Sequence, residues 1–261
     1  MRETQSRLTL EPSLDNGNPV WTADGSHIFF SSNRKGLFDL YWKLSNGAAK
    51  EELLHSSEEN KYADDVSRDS RCLIFVKDNA RGGHLELWVL PLTGERKPWP
   101  YLATEFDVYN AAFSPDGHWV AYVSTESGRP EVFVQSFPET GEKFQISTGR
   151  ADSPVRRADG KELFYIGTDN KVMAVPVESG ARFRAGVPQV SVSSADTGIY
   201  WAELTDQVWC LTRRPENSRK RIAARKRPNT HYRRGELGLR TEEIEMKCRL
   251  ESGKKPTSYP S

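Results

Sequence analysis

The chain has 261 residues, with 37 Lys and Arg against 36 Asp and Glu, and 36% of its residues are hydrophobic. It contains no run of about 18 apolar residues and no apolar segment behind a basic N-terminus, so we predict neither a membrane-spanning helix nor a secretory signal. The three cysteines, Cys72, Cys210 and Cys248, lie far apart without a CxxC pair, which argues against a disulfide framework and a zinc ribbon. The cytoplasm is the default compartment, and an extracytoplasmic place is the alternative if the chain belongs to a membrane-anchored protein.

Four segments in the first 200 residues place an Asp-containing turn before an apolar strand. The turns are separated by 45, 47 and 43 residues, and they are Asp24-Gly25, Asp69-Ser70, Asp116-Gly117 and Asp159-Gly160. An Asp-Gly step suits the positive φ of a tight turn between two strands, so the second turn, which lacks the glycine, is predicted to be looser. Each segment continues with a second apolar run and a weaker strand. A period of about 40–50 residues with four strands per unit is typical of β-propeller blades, so we predict an all-β propeller.

The repeats predict four blades at about 18–57, 62–104, 110–148 and 153–194, within a domain that covers residues 1–198. No fifth turn of this kind occurs near residue 204, and propellers usually close with four to eight blades. Three alternatives therefore stay open: four blades that close tightly, an incomplete ring that self-associates through its exposed end faces, or a fragment of a longer propeller.

Aromatic residues before the turns indicate where the blades pack. Trp21, Val66 and Phe113 occupy one position of the repeat, and the fourth repeat has Arg156 there. We expect Trp21 and Tyr122 to lie in the core. Arg156 predicts weaker packing of the last blade.

The segment 199–261 is a different kind of chain, predicted to be a poorly ordered or non-native tail. Residues 201–261 carry 15 Lys and Arg against 8 Asp and Glu. Residues 213–234 would offer an anion or nucleic-acid surface, but they lack the interleaved aromatic residues that stack on single-stranded bases. We therefore expect disorder, with nucleic-acid binding as an alternative.

The third and fourth repeats resemble a known family. FSPDGHWVAYVSTESGRPEVFVQSFP and ADGKELFYIGTDNKVMAVPVESG are similar to TolB-like (WD40-like) β-propeller repeats. More specifically, they resemble the C-terminal propeller sensor region of bacterial eukaryotic-type serine/threonine kinases, and more distantly the propeller of prolyl-oligopeptidase-type peptidases. The resemblance covers about residues 6–194, and it implies that a kinase domain precedes the propeller in intact relatives.

Catalytic motifs are missing from the sequence. It contains no GxSxG, P-loop, GxGxxG, HRD, DFG or HExxH motif, and its five histidines are scattered. We therefore predict no enzyme activity, no cofactor and no metal site; a cation held by Asp64, Asp65 and Asp152 would have too few ligands.

We expect two groups of polar and aromatic residues on one face around the propeller channel. One group leads into the first strand of each blade, and the other lies between the second and third strands. This candidate ligand or partner face consists of Asn18, Arg34, Tyr62, Asp64, Asp65, Arg81, Tyr109, Asn110, Arg129 and Asp152.

The sequence thus favours a non-catalytic interaction or sensor module of a bacterial signalling protein, which binds a protein or a small ligand. The alternatives are the gating propeller of a prolyl-oligopeptidase-like peptidase and a nucleic-acid binder that acts through the tail.

Overall fold

Each sequence repeat forms one antiparallel sheet. The computed structural model describes Thr9 and residues 15–78, 83–180 and 182–192. Blade 1 comprises β1 (Asn16–Trp21), β2 (His27–Ser32), β3 (Asp39–Leu44) and β4 (Glu52–His55). Blade 2 comprises β5 (Asn60–Val66), β6 (Cys72–Asp78), β7 (Glu86–Pro91) and β8 (Trp99–Leu102). Blade 3 comprises β9 (Val108–Phe113), β10 (Trp119–Ser124), β11 (Glu131–Ser136) and β12 (Lys143–Gln145).

Blade 4 has a divided outer edge. Its strands are β13 (Asp152–Arg156), β14 (Glu162–Ile166), β15 (Val172–Glu178), β16 (Arg184–Ala185) and β17 (Gln189–Val192). Both short strands, β16 and β17, pair with β15. In the described part of the chain, the one helical element is a 3₁₀ turn over Thr168–Asn170. The all-β propeller class is therefore confirmed, whereas the predicted tail at 199–261 lies outside the described residues.

The strands of each blade are paired in chain order, so the first strand always forms one edge of its sheet. The four first strands contact one another in sequence: β1 packs against β5, β5 against β9, and β9 against β13. The fold thereby collects the segments that open the repeats along one line of adjacent strands.

Three apolar layers hold the four sheets together, one between each pair of successive blades. The position of strand β6 between two of these layers explains the unbroken apolar run in its sequence. Leu73 and Phe75 face blade 1, whereas Ile74 and Val76 face blade 3. Because side chains alternate along a strand and both faces of this sheet are covered here, each of these four positions is apolar.

The tight turns between first and second strands have the backbone conformation expected of an Asp-Gly step. Gly25, Gly117 and Gly160 have φ of +68°, +73° and +75°. In each turn the amide of the glycine donates to the carbonyl oxygen three residues earlier, at 2.8 to 2.9 Å. Glycine adopts this left-handed conformation without a steric penalty.

The second turn has the same conformation, so the expectation of a looser turn is wrong. Ser70 has φ of +57°, and its amide donates to the carbonyl oxygen of Ser67 at 2.7 Å. The Asp69 carboxylate accepts the Ser67 hydroxyl at 2.7 Å and the Arg71 amide at 3.1 Å. These two hydrogen bonds stabilise the turn and offset the cost of a left-handed serine.

The expectation that Trp21 lies in the core is wrong, whereas Tyr122 is buried as predicted. The Trp21 side chain is 46% exposed, and that of Tyr122 is 1% exposed. Val66 and Phe113, at the repeat position of Trp21, pack into the layer shared with the preceding blade. Blade 1 has no preceding blade among the described residues, so Trp21 has no such layer to enter.

The outward side of blade 1 is less exposed than an open apolar face would be. Three of its large side chains, Ile28, Phe30 and Tyr41, are buried. The Arg34 guanidinium lies over the Tyr41 ring, 4.3 Å from its centre, and covers part of this side. Trp21 and Leu53, which are 46% and 39% exposed, are its exposed large apolar residues, and Leu53 is the cross-strand partner of Tyr41.

Candidate functional site

The loop between second and third strands of one blade meets the segment that opens the next blade. A backbone hydrogen bond of 2.8 to 3.0 Å repeats at all three seams, and the donor–acceptor pairs are Lys61 to Phe38, Val108 to Leu85, and Ala151 to Pro130. The two groups of candidate residues therefore lie on the same side of the sheets. This is the arrangement that the sequence analysis assumed.

A second hydrogen bond closes two of these seams. The Asn60 side chain accepts the Phe38 amide at 3.0 Å, and the Asp107 carboxylate accepts the Leu85 amide at 3.0 Å. Proline has no amide hydrogen, so Pro130 cannot make this bond at the third seam.

The first strands are all interrupted at the same step. Each of β1, β5, β9 and β13 shifts its register against the second strand there. In three of them a polar residue adopts a left-handed conformation: Asn18 and Asn110 have φ of +53°, and Ser153 has φ of +51°. Non-glycine residues rarely adopt this conformation, and asparagine does so most readily. The interruption leaves backbone amides without a partner in their own sheet.

The fold avoids an unsatisfied backbone amide after each left-handed residue in two ways. In blades 1 and 4 the next residue is Pro19 or Pro154, which has no amide hydrogen to satisfy. In blade 3 it is Ala111, whose amide donates to Oδ2 of Asp64 in blade 2 at 2.7 Å. Asp64 therefore supplies the acceptor that the interrupted strand lacks.

Asp65 makes a similar contact one step further along. Its Oδ2 accepts the Phe113 amide at 2.8 Å, and its Oδ1 accepts the Val66 amide at 2.8 Å. Burial raises the pKa of Asp65 to about 7, although both amides act in the opposite direction. Burial also raises the pKa of Asp64 to about 8, and the neighbouring charge of Asp65 adds to this effect. Both candidate residues are thus engaged between blades 2 and 3.

Asn110 and Asp152 are brought together across the seam between blades 3 and 4. Nδ2 of Asn110 donates to Oδ1 of Asp152 at 2.7 Å, and the same oxygen accepts the Ser153 amide at 2.6 Å. Both side chains are partly exposed. This pair leaves Oδ1 of Asn110 and Oδ2 of Asp152 as further acceptors for a bound group.

The arginines of the candidate face are held by their own blades. Arg34 donates to the Ser32 hydroxyl at 3.1 Å and to Oδ1 of Asn16 at 3.2 Å. Arg129 pairs with the buried Glu131 at 2.6 Å while its own side chain stays 57% exposed. The third candidate arginine, Arg81, lies outside the described residues.

The two candidate tyrosines are partly buried. The Tyr62 ring contacts Phe38, with 5.2 Å between ring centres, and Tyr109 packs against the apolar layers on both sides of blade 3. Each is partly exposed on a first strand. Tyr62 lies two residues before Asp64 on β5, and Tyr109 directly precedes Asn110 on β9.

A buried ion pair between blades 1 and 2 was missed by the sequence analysis. Nζ of Lys61 lies 3.0 Å from Oδ1 of Asp39, and the Lys61 side chain is fully buried. Nothing in the local pattern marks this lysine, because charged residues are usually exposed and the partner lies 22 positions away.

The described residues contain no group of three or more His, Cys, Asp or Glu side chains that could hold a metal ion. Within the same part of the chain, no helix has the length and apolar character needed to span a bilayer.

Comparison with known proteins identifies the fold. No family model matches the sequence, and no curated protein matches it. Among solved structures, TolB from Acinetobacter baumannii aligns with a TM-score of 0.53 and 19% identity, over 67% of this chain and 44% of that protein. The putative TolB from Agrobacterium tumefaciens aligns with a TM-score of 0.54 and 14% identity, over 66% and 65% of the two chains. An oligogalacturonate lyase in complex with manganese aligns with a TM-score of 0.50 and 18% identity, over 69% and 55%.

The sheets and the repeated seams define a β-propeller module. More narrowly, it is a TolB-like β-propeller in its fold. The chain spans less than two thirds of each of these three proteins. At such identities the similarity establishes the fold and not the activity.

Proposed function

We propose that this propeller is a non-catalytic interaction module, and that it binds a protein or small ligand at the face formed by its first strands. The observation that carries the proposal is the joined pair Asn110 and Asp152, which presents polar groups of two blades side by side at 2.7 Å. Polar groups that converge from several loops on a rigid scaffold are a usual feature of binding sites.

The left-handed residues support the same assignment. A non-glycine residue held in this conformation costs of order 1–3 kcal/mol, and such residues cluster at ligand clamps and active sites. Here Asn18, Asn110 and Ser153 adopt it at the same step of three strands. The repeated strain gives three of the four blades, blades 1, 3 and 4, a polar side chain at equivalent places.

The wider setting that we propose is a bacterial signalling protein, with the propeller as its sensor region. The resemblance of the third and fourth repeats to kinase-associated propellers supports this setting. The propeller would occupy residues 1–198, with blades at about 18–57, 62–104, 110–148 and 153–194. The partner would be a protein or a small ligand rather than a nucleic acid.

Site-specific photo-crosslinking tests the binding face. A photo-reactive phenylalanine analogue replaces Tyr109 on β9, or Leu53 on the outer strand β4 as the control, and each chain is illuminated in a bacterial lysate. We expect a discrete adduct from position 109, lost when Asn110→Ala and Asp152→Ala are added, and no such adduct from position 53. Asp64 stays unchanged because it holds the Ala111 amide. An adduct from position 53 alone, or one that survives both alanine substitutions, would contradict the proposal.

A further inference from the structure

Two neighbouring carboxylates of blade 2 both point at the first strand of blade 3. Asp64 accepts the Ala111 amide at 2.7 Å and Asp65 accepts the Phe113 amide at 2.8 Å. Consecutive residues of a regular strand point to opposite faces. The register shift between Ala63 and Asp65 removes this alternation, as a β-bulge does, and directs both carboxylates to the same seam.

Within the described part of its own blade, no cation compensates the pair. Among the described residues, neither Asp64 nor Asp65 forms an ion pair with a Lys, Arg or His. Lys61, three residues earlier on the same strand, is bound to Asp39. Lys77, on the neighbouring strand β6, is bound to Glu86 at 3.0 Å.

The described residues of the neighbouring blades bring no cation to the pair either. On β9 the titratable side chain is Tyr109. On β13 the titratable side chains are Asp152, whose Oδ1 is taken by Asn110, and Arg156, whose charge interacts with that of Asp116 in blade 3. On β2 the facing group is the neutral Ser31 hydroxyl, which accepts the Ala63 amide at 2.9 Å. The charge that acts on Asp64 is that of Asp65.

Two like charges on adjacent buried groups are unfavourable, so such a pair titrates as a unit and keeps one proton into the neutral range. Burial places the pKa values of Asp64 and Asp65 at about 8 and about 7, well above those of the two groups in an unfolded chain. The folded state therefore binds more protons than the unfolded state between about pH 4 and pH 8. Over that interval the contribution of this pair to the free energy of unfolding falls as the pH rises.

We propose that Asp64 and Asp65 form a proton-controlled latch between blades 2 and 3: the pair joins the two first strands while it holds a proton, and loosens when the proton is lost. The latch concerns the seam itself and does not depend on what the module binds. Because Ala111 follows Asn110 directly, an opened seam would also release the strand that carries the proposed binding residue.

Denaturation as a function of pH tests the latch on the full chain. The free energy of unfolding is measured in urea from pH 5 to pH 9 for the wild type, Asp64→Asn and Asp65→Asn. The control is Asp169→Asn, the same substitution at an exposed position. The Asp169 side chain is 73% exposed, and its backbone is in the left-handed conformation, which asparagine tolerates. We expect the wild type and the control to lose stability towards pH 9 with the same slope. Each latch variant should show a clearly smaller loss, since an amide cannot ionise. The side chain of Asp64→Asn still accepts the Ala111 amide, whereas that of Asp65→Asn can accept only one of the two amides that Asp65 binds. Identical slopes in all four chains would overturn the proposal.

Two measurements on the wild type keep the test decisive if a variant does not fold. The hydrogen-exchange protection factors of the Ala111 and Phe113 amides should fall at least tenfold from pH 6 to pH 9, and by a larger factor than that of Val134 in β11. Carboxyl carbon NMR should show at least one of the two aspartates titrating above pH 6. Protection factors that do not change, or two titrations below pH 5, would overturn the latch.

Discussion

Replacing Arg156 with methionine should stabilise the propeller, although it removes a charge and a hydrogen-bond donor. Arg156 lies on β13, at the repeat position that Val66 and Phe113 fill in blades 2 and 3. All three guanidinium nitrogens are buried, and none has a hydrogen-bond partner among the described residues. Methionine keeps the long apolar stem in place and leaves no donor unsatisfied.

The magnitude follows from two opposing contributions. Burial lowers the pKa of the Arg156 guanidinium to about 10, because the charged form is poorly solvated there. At about 1.4 kcal/mol per pKa unit, this corresponds to a penalty of roughly 3 kcal/mol for the charged group. The guanidinium also lies over the Phe183 ring, 5.6 Å from its centre. Such cation–π contacts contribute about 1 kcal/mol and offset part of this penalty. The net expectation is a gain of about 1–2 kcal/mol, or a rise in Tm of roughly 4 °C.

Urea denaturation followed by circular dichroism measures this gain, with Arg157→Met as the matched control. The Arg157 side chain is 50% exposed and pairs with Asp159 at 3.1 Å. Its replacement removes the same charge from a solvated place and should not raise the stability. A loss of more than about 1 kcal/mol in Arg156→Met, where the hydrophobic replacement of an unpaired buried charge should be neutral or stabilising, would refute the reasoning. It would mean that the guanidinium has an acceptor in solution.

Two further predictions concern the core and the buried ion pair. Tyr122→Ala should lower the free energy of unfolding by about 3–5 kcal/mol. Trp21→Ala should lower it by less than half of that, because the Trp21 side chain is 46% exposed. Equal losses in urea denaturation would contradict the placement of Trp21 at an end face. Lys61→Met should cost about 3–5 kcal/mol, because it leaves Asp39 buried without a counter-charge, and adding Asp39→Leu should restore most of the loss. Thermal melts of the single and double variants measure this recovery, and a double variant as unstable as Lys61→Met would show that the pair has another role.

The positions of the blades were readable from the sequence because they depend on local signals. The Asp-Gly steps fix tight turns by their backbone preference, and unbroken apolar runs such as Leu73–Val76 indicate strands covered on both faces. Side-chain hydrogen bonds can replace the glycine of such a turn. For this reason the Ser70 turn has the standard conformation where a looser one was expected.

The candidate face was predictable only in part. The expected meeting of the loops and the first strands is present at every described seam, and Asn110 and Asp152 lie within hydrogen-bonding distance of each other. The pattern did not distinguish them from Asp64 and Asp65, which are engaged in the seam. All four are polar residues in short segments, and only their partners across the seam differ.

The sequence by itself determined the repeat, its strands and the turns that join them, because these follow from residue preferences within about ten positions. Only the tertiary structure decided which polar side chains are buried and what they hold. Ala111 receives its acceptor from Asp64, 47 positions earlier, and Lys61 finds Asp39 in another blade. Burial and hydrogen bonding between blades depend on which sheet lies alongside, and the sequence of a single strand does not specify which strand will lie beside it.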